Sequence, residues 1–305
     1  MLIPEPVSIQ ALFSSEVAEK SVEVAVLRLD EIHPLVSGNK FFKLKYNLQA
    51  AQKQGKRTLL TFGGAFSNHI YATAFAANLA ELQSIGIIRG EETNRANPTL
   101  AQAQKMGMQL HFVDRETYRK KNSSDFLENL SAQFGDFYLI PEGGTNAMAI
   151  LGTKEILASS SPEFTHICVS IGTGGTFAGL AANLQRHQRL IGFSSLKGEF
   201  IHDEIGALLS RHQIYPEGSL EIRNEYHFGG YGKHKPAEIE FIKWFYAKFK
   251  IPLDPVYTGK MVYGVWDLIA KDHFPPGSKI LLIHTGGLQG NAGFKAKTGI
   301  DLPTL

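Results

Sequence analysis

The feature that most constrains this chain is a recurring unit: a short β-branched apolar run, a glycine-rich turn, then a helical pattern. RTLLTFGG (57–64) precedes SNHIYATAFAANLA (67–80), and IGIIRG (85–90) precedes NPTLAQAQKMG (97–107), which Gly107 closes. QLHFVD (109–114) and FYLIPEGG (137–144) follow, separated by a polar helical stretch. Each unit passes from strand to helix and back, so the strands are expected to pair in parallel beneath helices. A second series comprises HICVSIGTGG (166–175), RLIGFSSL (189–196) and KILLIHTGG (279–287), with a helical pattern at PAEIEFIKWFYAKF (236–249). PEGSLEIRNEYHFGGYGKHK (216–235) is rich in glycine and reads as an irregular functional or interface loop. A length of 305 residues fits about two domains. The expected fold class is α/β, with two doubly wound domains and mainly parallel sheets. Residues 46–155 would form the smaller domain, and 1–45 plus 156–305 the larger, with an active site between them.

Composition serves mainly to exclude. With 43% hydrophobic and 20% charged residues the chain has an ordinary globular balance. A net charge of +2 without a basic stripe argues against a nucleic-acid partner. No run approaches the ~18 apolar residues of a membrane span. MLIPEPVSIQ lacks the basic and apolar regions of a signal peptide, and the expectation is a cytoplasmic protein. The single cysteine, Cys168, lies inside ICVSIG and reads as core, which excludes a disulfide framework. No metal is expected, because the histidines show no ligand spacing, and His202-Asp203-Glu204 reads as helix capping. There is no G-x-S-x-G nucleophile turn.

Ligands of open α/β sheets bind beyond the carboxyl ends of strands. Four glycine-rich turns follow strand patterns here, TFGGAFSN, PEGGTN, SIGTGGTFAG and HTGGLQG, which points to one shared site. In SIGTGGTFAGL (170–180), small residues at a helix start leave amides free for an anion such as phosphate. A dinucleotide fits less well: Phe177 takes the place of the last glycine of G-x-G-x-x-G, and RLIGFSSL ends without a ribose-binding acid. A strand–helix turn without any ligand is the plainer alternative. SGNKFFKLKYNL (37–48) puts Lys40 directly after Gly-Asn, with Lys43 and Lys45 on the following turns. Three lysines are compatible with a solvated helix face. A phosphate loop and no metal favour instead a Schiff-base Lys40 holding pyridoxal 5'-phosphate, its amine depressed by burial from about 10.4. Lys43 lies near the same face, and Lys45 points elsewhere toward solvent.

Together these residues resemble the family of 1-aminocyclopropane-1-carboxylate deaminases and D-cysteine desulfhydrases, pyridoxal-phosphate enzymes of the tryptophan-synthase-β type of fold. The motifs occur in order over nearly the whole chain: GNK with Lys43, GG-x-x-SNH (63–69), PEGG (141–144), GTGGT-x-AG (172–179), LDPVYTGK (253–260) and HTGG (284–287). The resemblance implies that Lys40 holds the cofactor, Asn68 bonds its ring oxygen, and Gly172, Thr173, Gly174, Gly175 and Thr176 bind its phosphate, within reach of Lys43. Ser67, Asn68 and His69 would receive the substrate carboxylate, and Lys40, Tyr257 and Ser67 are the candidate catalytic residues. Set against this, Tyr257 fits core packing and Ser67-Asn68 fits simple helix capping. A homodimer and a small amino-acid substrate are also implied.

Three positions divide the branches of that family. Deaminases typically carry glutamate where this chain has Thr258, leucine where it has Thr285 and glutamine where it has His69. All three lean toward the desulfhydrase side. Thr258 and Thr285 are both candidates to meet the pyridine nitrogen, and a neutral partner there leaves the ring a weaker electron sink. That suffices for β-elimination of a good leaving group. The expected reaction is release of pyruvate, ammonia and sulfide from a substrate such as D-cysteine; cyclopropane deamination to 2-oxobutyrate and a non-catalytic amino-acid-binding protein are the alternatives. Phe41-Phe42 and Tyr71 depart from the family's usual Thr-Arg and arginine, adding uncharged bulk near the site.

Overall fold

The structure, a computed structural model, describes residues 2–91, 97–157 and 163–304. The first sheet contains β1 (Ile9–Leu12), β2 (Glu23–Leu27), β7 (His166–Ile171), β8 (Arg189–Ser194), β9 (Ser219–Arg223) and β10 (Lys279–Ile283). The second contains β3 (Thr58–Gly64), β4 (Gln83–Arg89), β5 (Met108–Val113) and β6 (Tyr138–Ile140). Helices α1 (Ser15–Glu19), α8 (Gly175–Ala181), α9 (Phe200–Arg211), α10 (Pro236–Phe249), α11 (Thr258–Ala270) and α12 (Gly290–Thr298) belong to the chain segments of the first sheet. Helices α2 (Asn39–Lys53), α3 (Asn68–Leu79), α4 (Pro98–Lys105), α5 (Arg115–Arg119), α6 (Ser124–Phe134) and α7 (Ala147–Lys154) precede, thread or follow the second.

The six-stranded sheet runs β1-β2-β10-β7-β8-β9 and the four-stranded sheet β5-β4-β3-β6. All pairings are parallel except β1 with β2, so the α/β expectation holds, and β1 and β2 lie in one sheet with the later series. Every residue of β7 is buried, because helices cover both faces of a parallel sheet. Side-chain alternation divides the core in two. Val24, Val26, Cys168 and Leu282 face Ile242 and Phe245 of α10 and Met261 and Val265 of α11. Ala25, Leu27, Val169 and Ile283 face Phe177 and Leu180 of α8 and Ile201 and Ile205 of α9. Each such buried aliphatic side chain contributes about 1.5–3 kcal/mol. Cys168 is core, as expected, and burial pushes its thiol upward in pKa.

Against the second sheet, α3 is buried on two sides, which explains its small residues. Ala72 and Ala76 pack toward Leu48 and Leu59, while Ala74 packs toward Ile88 and Leu100. The helix begins at Ser67, whose Oγ accepts from the Ile70 amide at 3.3 Å. Helix α2 continues through position 45/46, and its Leu44, Leu48 and Ala51 share a cluster with Leu59 and Ile140. Helix α7 lies between α2 and α8 at very short range. A Cβ on Gly152 would fall 1.9 Å from the Phe42 carbonyl oxygen, and one on Gly179 would fall 2.0 Å from Thr153 Oγ1.

Two expectations need correction. Residues 216–235 are not wholly irregular: Ser219–Arg223 adds β9 as an edge strand beside β8. Its SLEIR sequence buries only partly and carries Glu221 and Arg223, the charged pattern of a sheet edge, which masks the strand signal. His202 and Asp203 lie in the first turn of α9 with Glu204 just after, but Glu199 precedes the helix and no side chain caps it. Among the described residues no acidic, histidine or cysteine cluster could hold a metal, and no helix is long and apolar enough to cross a membrane.

Candidate active site

A cavity of about 350 Å³ opens where the carboxyl ends of the two sheets meet, and all four glycine-rich turns line it. Lys40 and Lys43 enter from the start of α2. The reason for Gly-Asn before Lys40 is backbone contact. Gly38 adopts φ +66°, and a Cβ there would lie 2.0 Å from the Thr285 carbonyl oxygen. The Asn39 amide donates to that same oxygen at 3.2 Å, pinning the first turn of α2 to the HTGG turn. Lys40 Nζ donates to Asn39 Oδ1 at 3.0 Å, and Asn39 Nδ2 donates to Thr176 Oγ1 at 2.7 Å. Burial lowers the Lys40 ammonium from its ordinary 10.5 to about 8, with the Asp254 carboxylate pulling the other way. A substantial neutral fraction therefore exists near physiological pH, as attack on a carbonyl requires.

Lys43 is 3% exposed and donates to the Gly143 carbonyl at 3.0 Å and Thr145 Oγ1 at 3.3 Å. Burial, followed by the Lys40 charge, holds it well below the usual lysine range. Lys45 does point elsewhere, but it is paired with Glu155 at 2.7 Å and is not simply solvated. Beside Lys43 lies the Gly172–Thr176 loop. Thr173 and Thr145 hydroxyls are 2.6 Å apart, and a Cβ on Gly175 would fall 2.7 Å from Thr145 Oγ1 and 3.1 Å from Lys43 Nζ. Amides, hydroxyls and one lysine amine thus converge on a space that any side chain at 175 would fill. Gly172 runs beneath the Tyr257 ring, where a Cβ would meet Cε1 at 3.0 Å.

At another wall Thr285 Oγ1 and Ser170 Oγ are 3.3 Å apart, and both residues line the cavity. Thr258 does not line it. That hydroxyl is wholly buried and bonded to Asp254 Oδ2 at 2.7 Å. Asp254 also accepts the amides of Val256 and Tyr257 at 2.8 Å and of Thr258 at 3.0 Å, so it builds the turn that presents Tyr257. Of the two threonines read from the sequence, Thr285 reaches the cavity and Thr258 stands behind it.

Asn68 is oriented by Gln289, which donates to its Oδ1 at 2.9 Å and leaves Nδ2 beside Gly287. His69 is 2% exposed, and its Nε2 is 2.8 Å from Thr61 Oγ1. The Thr61 hydroxyl donates its one proton to the Ile140 carbonyl at 2.8 Å, so His69 must donate through Nε2–H. Burial and the two lysines keep the imidazole neutral, and Nδ1 is left with a buried, unpartnered lone pair. Tyr257 faces Tyr231 with ring centroids 6.0 Å apart. Burial, then the Tyr231 hydroxyl and the Asp254 charge, raise Tyr257 well above a normal phenol. It is therefore an O–H donor at neutral pH.

Lys40, Lys43, Ser67, Asn68, His69, Gly172, Thr173, Gly174, Thr176, Tyr257 and Thr285 all meet in this one cavity, with Gly175 immediately behind its wall. Sequence reasoning overlooked Asn39, Ser170, Gln289, Arg89 and Tyr231. Asn39 was visible in the Gly-Asn pair, and Tyr231 as the aromatic of FGGYG; Ser170, Gln289 and Arg89 carry no local signal. The donor set fits pyridoxal phosphate. A depressed lysine stands at one end of a glycine cradle with a second lysine, and the neutral His69 imidazole, its Nδ1 buried and unpartnered, packs in the same wall.

The family model described as pyridoxal-phosphate dependent enzyme matches residues 11–286. A Pyrococcus horikoshii protein, provisionally named a 1-aminocyclopropane-1-carboxylate deaminase, is 33% identical over 95% of this chain and 91% of its own. The bifunctional mitochondrial D-cysteine desulfhydrase/1-aminocyclopropane-1-carboxylate deaminase of Arabidopsis thaliana is 31% identical over 84% of this chain and 70% of its own. The crystal structure of a homologue of 1-aminocyclopropane-1-carboxylate deaminase aligns with TM-score 0.84 and 30% identity, covering 97% of this chain and 94% of that one. With family model, relatives and fold in agreement, the chain belongs to the pyridoxal-phosphate dependent enzymes, in the branch that contains 1-aminocyclopropane-1-carboxylate deaminases and D-cysteine desulfhydrases.

Proposed function

We propose that this protein is a lyase that eliminates the β-substituent of a small amino acid such as D-cysteine, releasing sulfide, pyruvate and ammonia with uptake of one water. Bound pyridoxal phosphate supplies the electron sink for α-proton removal. Lys40 would hold the cofactor and, as a free amine, would be the base that takes the α-proton. Tyr257 serves as proton donor, since its hydroxyl is held protonated. Asn68, oriented by Gln289, would bond the cofactor's ring oxygen. Ser67, Asn68 and His69 receive the carboxylate at the start of α3, where backbone donors favour an anion. Gly172–Thr176 and Lys43 hold the phosphate. The two α/β units, residues 46–155 and 1–45 with 156–305, are proposed as the walls of the site, and a cytoplasmic homodimer as the working assembly.

The observation that favours elimination over ring opening is a pair of neutral threonines: Thr285 reaches the cavity wall beside Ser170, and Thr258 stands where a deaminase would carry the carboxylate of a strong sink. Thr258, at the position typical of the deaminase glutamate, is committed to Asp254. The alternative, cyclopropane deamination, draws on the two activities in the name of the Arabidopsis relative. Both are tested by giving purified holoenzyme D-cysteine and 1-aminocyclopropane-1-carboxylate in parallel, with sulfide and keto acid assayed. Sulfide and pyruvate without 2-oxobutyrate is the expected result. The reverse result moves the assignment to the deaminase. A protein that stays colourless with added pyridoxal phosphate and turns over neither compound is a binder of the same fold.

A further inference from the structure

One buried charged cluster has no part in the chemistry above. Lys260 on α11 is 1% exposed and Glu238 on α10 is wholly buried. Lys260 Nζ donates to the His227 carbonyl at 2.8 Å and the Gly230 carbonyl at 2.9 Å. Neither carboxylate oxygen of Glu238 has a hydrogen-bond partner. Burial raises the Glu238 carboxyl and lowers the Lys260 ammonium, each opposed by the charge of the other. Burying two ionisable groups this deeply is costly, so their placement calls for a role.

The two carbonyls lie on either side of the segment that leads to Tyr231. This strap carries Gly229, Gly230 and Gly232 at φ +102°, +112° and +65°, a glycine run with little stiffness of its own. Lys260 and Tyr257 are three residues apart at the start of one helix. That helix thus presents Tyr257 to the cavity and, one turn on, ties down the strap that carries Tyr231. The Phe228 ring against Tyr263, at 4.9 Å, secures the outer side of the strap to the same helix.

We infer that Lys260 is a positioning residue that fixes Tyr231 against Tyr257 for the reaction. It touches neither substrate nor cofactor and acts through the two strap carbonyls. The inference rests on the proposed lyase reading, because it assigns the tyrosine pair to substrate turnover.

The test uses Lys260→Met, Tyr231→Phe and the double variant in the holoenzyme. Kinetics with D-cysteine and hydrogen exchange across residues 226–233 are both measured. Each single change is expected to lower kcat/KM by up to about 100-fold, the scale of a misplaced reacting group. The double variant is expected to be no worse than the poorer single one, since Lys260 acts through Tyr231. Strap amides in Lys260→Met are expected to exchange at least about tenfold faster, with the strands unchanged. Multiplying kinetic losses, or unchanged strap exchange, overturns the inference. Should Lys260→Met not fold, Lys260→Gln is read the same way, and a loosened strap with full kcat/KM also overturns it. A wild-type enzyme that fails to act on D-cysteine removes the lyase reading, while the exchange measurement still decides whether Lys260 holds the strap.

Discussion

Replacing Lys40 by methionine is expected to stabilise the cofactor-free protein at neutral pH while removing its chemistry. In the fold the Lys40 ammonium titrates at about 8, against 10.5 ordinarily. Between those values the unfolded chain binds more protons than the native one, so stability rises with pH across this window. Below about 8 the native state bears the full cost of a desolvated ammonium, and near 10.5 that cost has gone. At about 1.4 kcal/mol per pH unit the ceiling is ~3 kcal/mol. Methionine has similar length and no charge, but the variant loses the 3.0 Å bond to Asn39, worth about 1 kcal/mol. A net gain of about 2 kcal/mol is expected near pH 7 and none near pH 10.5. Urea unfolding of both apoproteins at the two pH values measures it. Equal stabilities at both, or a gain that grows with pH, would refute the reading of Lys40 as a lysine held out of water for reaction.

Other outcomes follow from single contacts. Gly175→Ala is expected to weaken pyridoxal-phosphate binding at least about tenfold, because its methyl would press on Thr145 and Lys43; titration by absorbance checks this. Gly152→Ala is expected to cost about 3 kcal/mol or more in denaturant unfolding, since its Cβ meets the backbone of α2. Thr258→Ala is expected to lose about 1 kcal/mol of stability through Asp254, with a cofactor spectrum like the wild type; an altered spectrum would put Thr258 at the ring after all. Cys168 is expected to resist thiol reagents at neutral pH until the protein is unfolded, and rapid labelling of the native protein would contradict its place in the core.

Much of the fold could be read in the chain because its signals are local. Apolar runs, several of them ending in glycine, mark strands of both sheets, and Ser67 and Asn97 mark helix starts that the structure bears out. β9 was hidden because a charged edge strand lacks the continuous apolar run of a buried one. The glycine turns foretold one cavity, and Lys40 stood out through the backbone demand of Gly38. Distances through space were not legible. Nothing in LDPVYTGK tells that Thr258 turns back to Asp254, or that Lys260 meets carbonyls some thirty residues earlier, as its bonds to His227 and Gly230 require. The His69 tautomer likewise depends on where Thr61 spends its single proton.

The tight seating of α7 between α2 and α8 has a consequence for how such a protein diversifies. Lys40 rides on α2 and the Gly172–Thr176 loop opens α8, so the span between them is gauged by the close approach of Gly152 to the Phe42 carbonyl and of Gly179 to Thr153. Side-chain drift elsewhere leaves this gauge untouched. Tyr71 and Arg89 hang on other elements around the same cavity and are free to change one at a time. New substrates are therefore reached by rebuilding walls around a fixed measure, and descendants of this chain would keep the ruler long after they had changed what it serves.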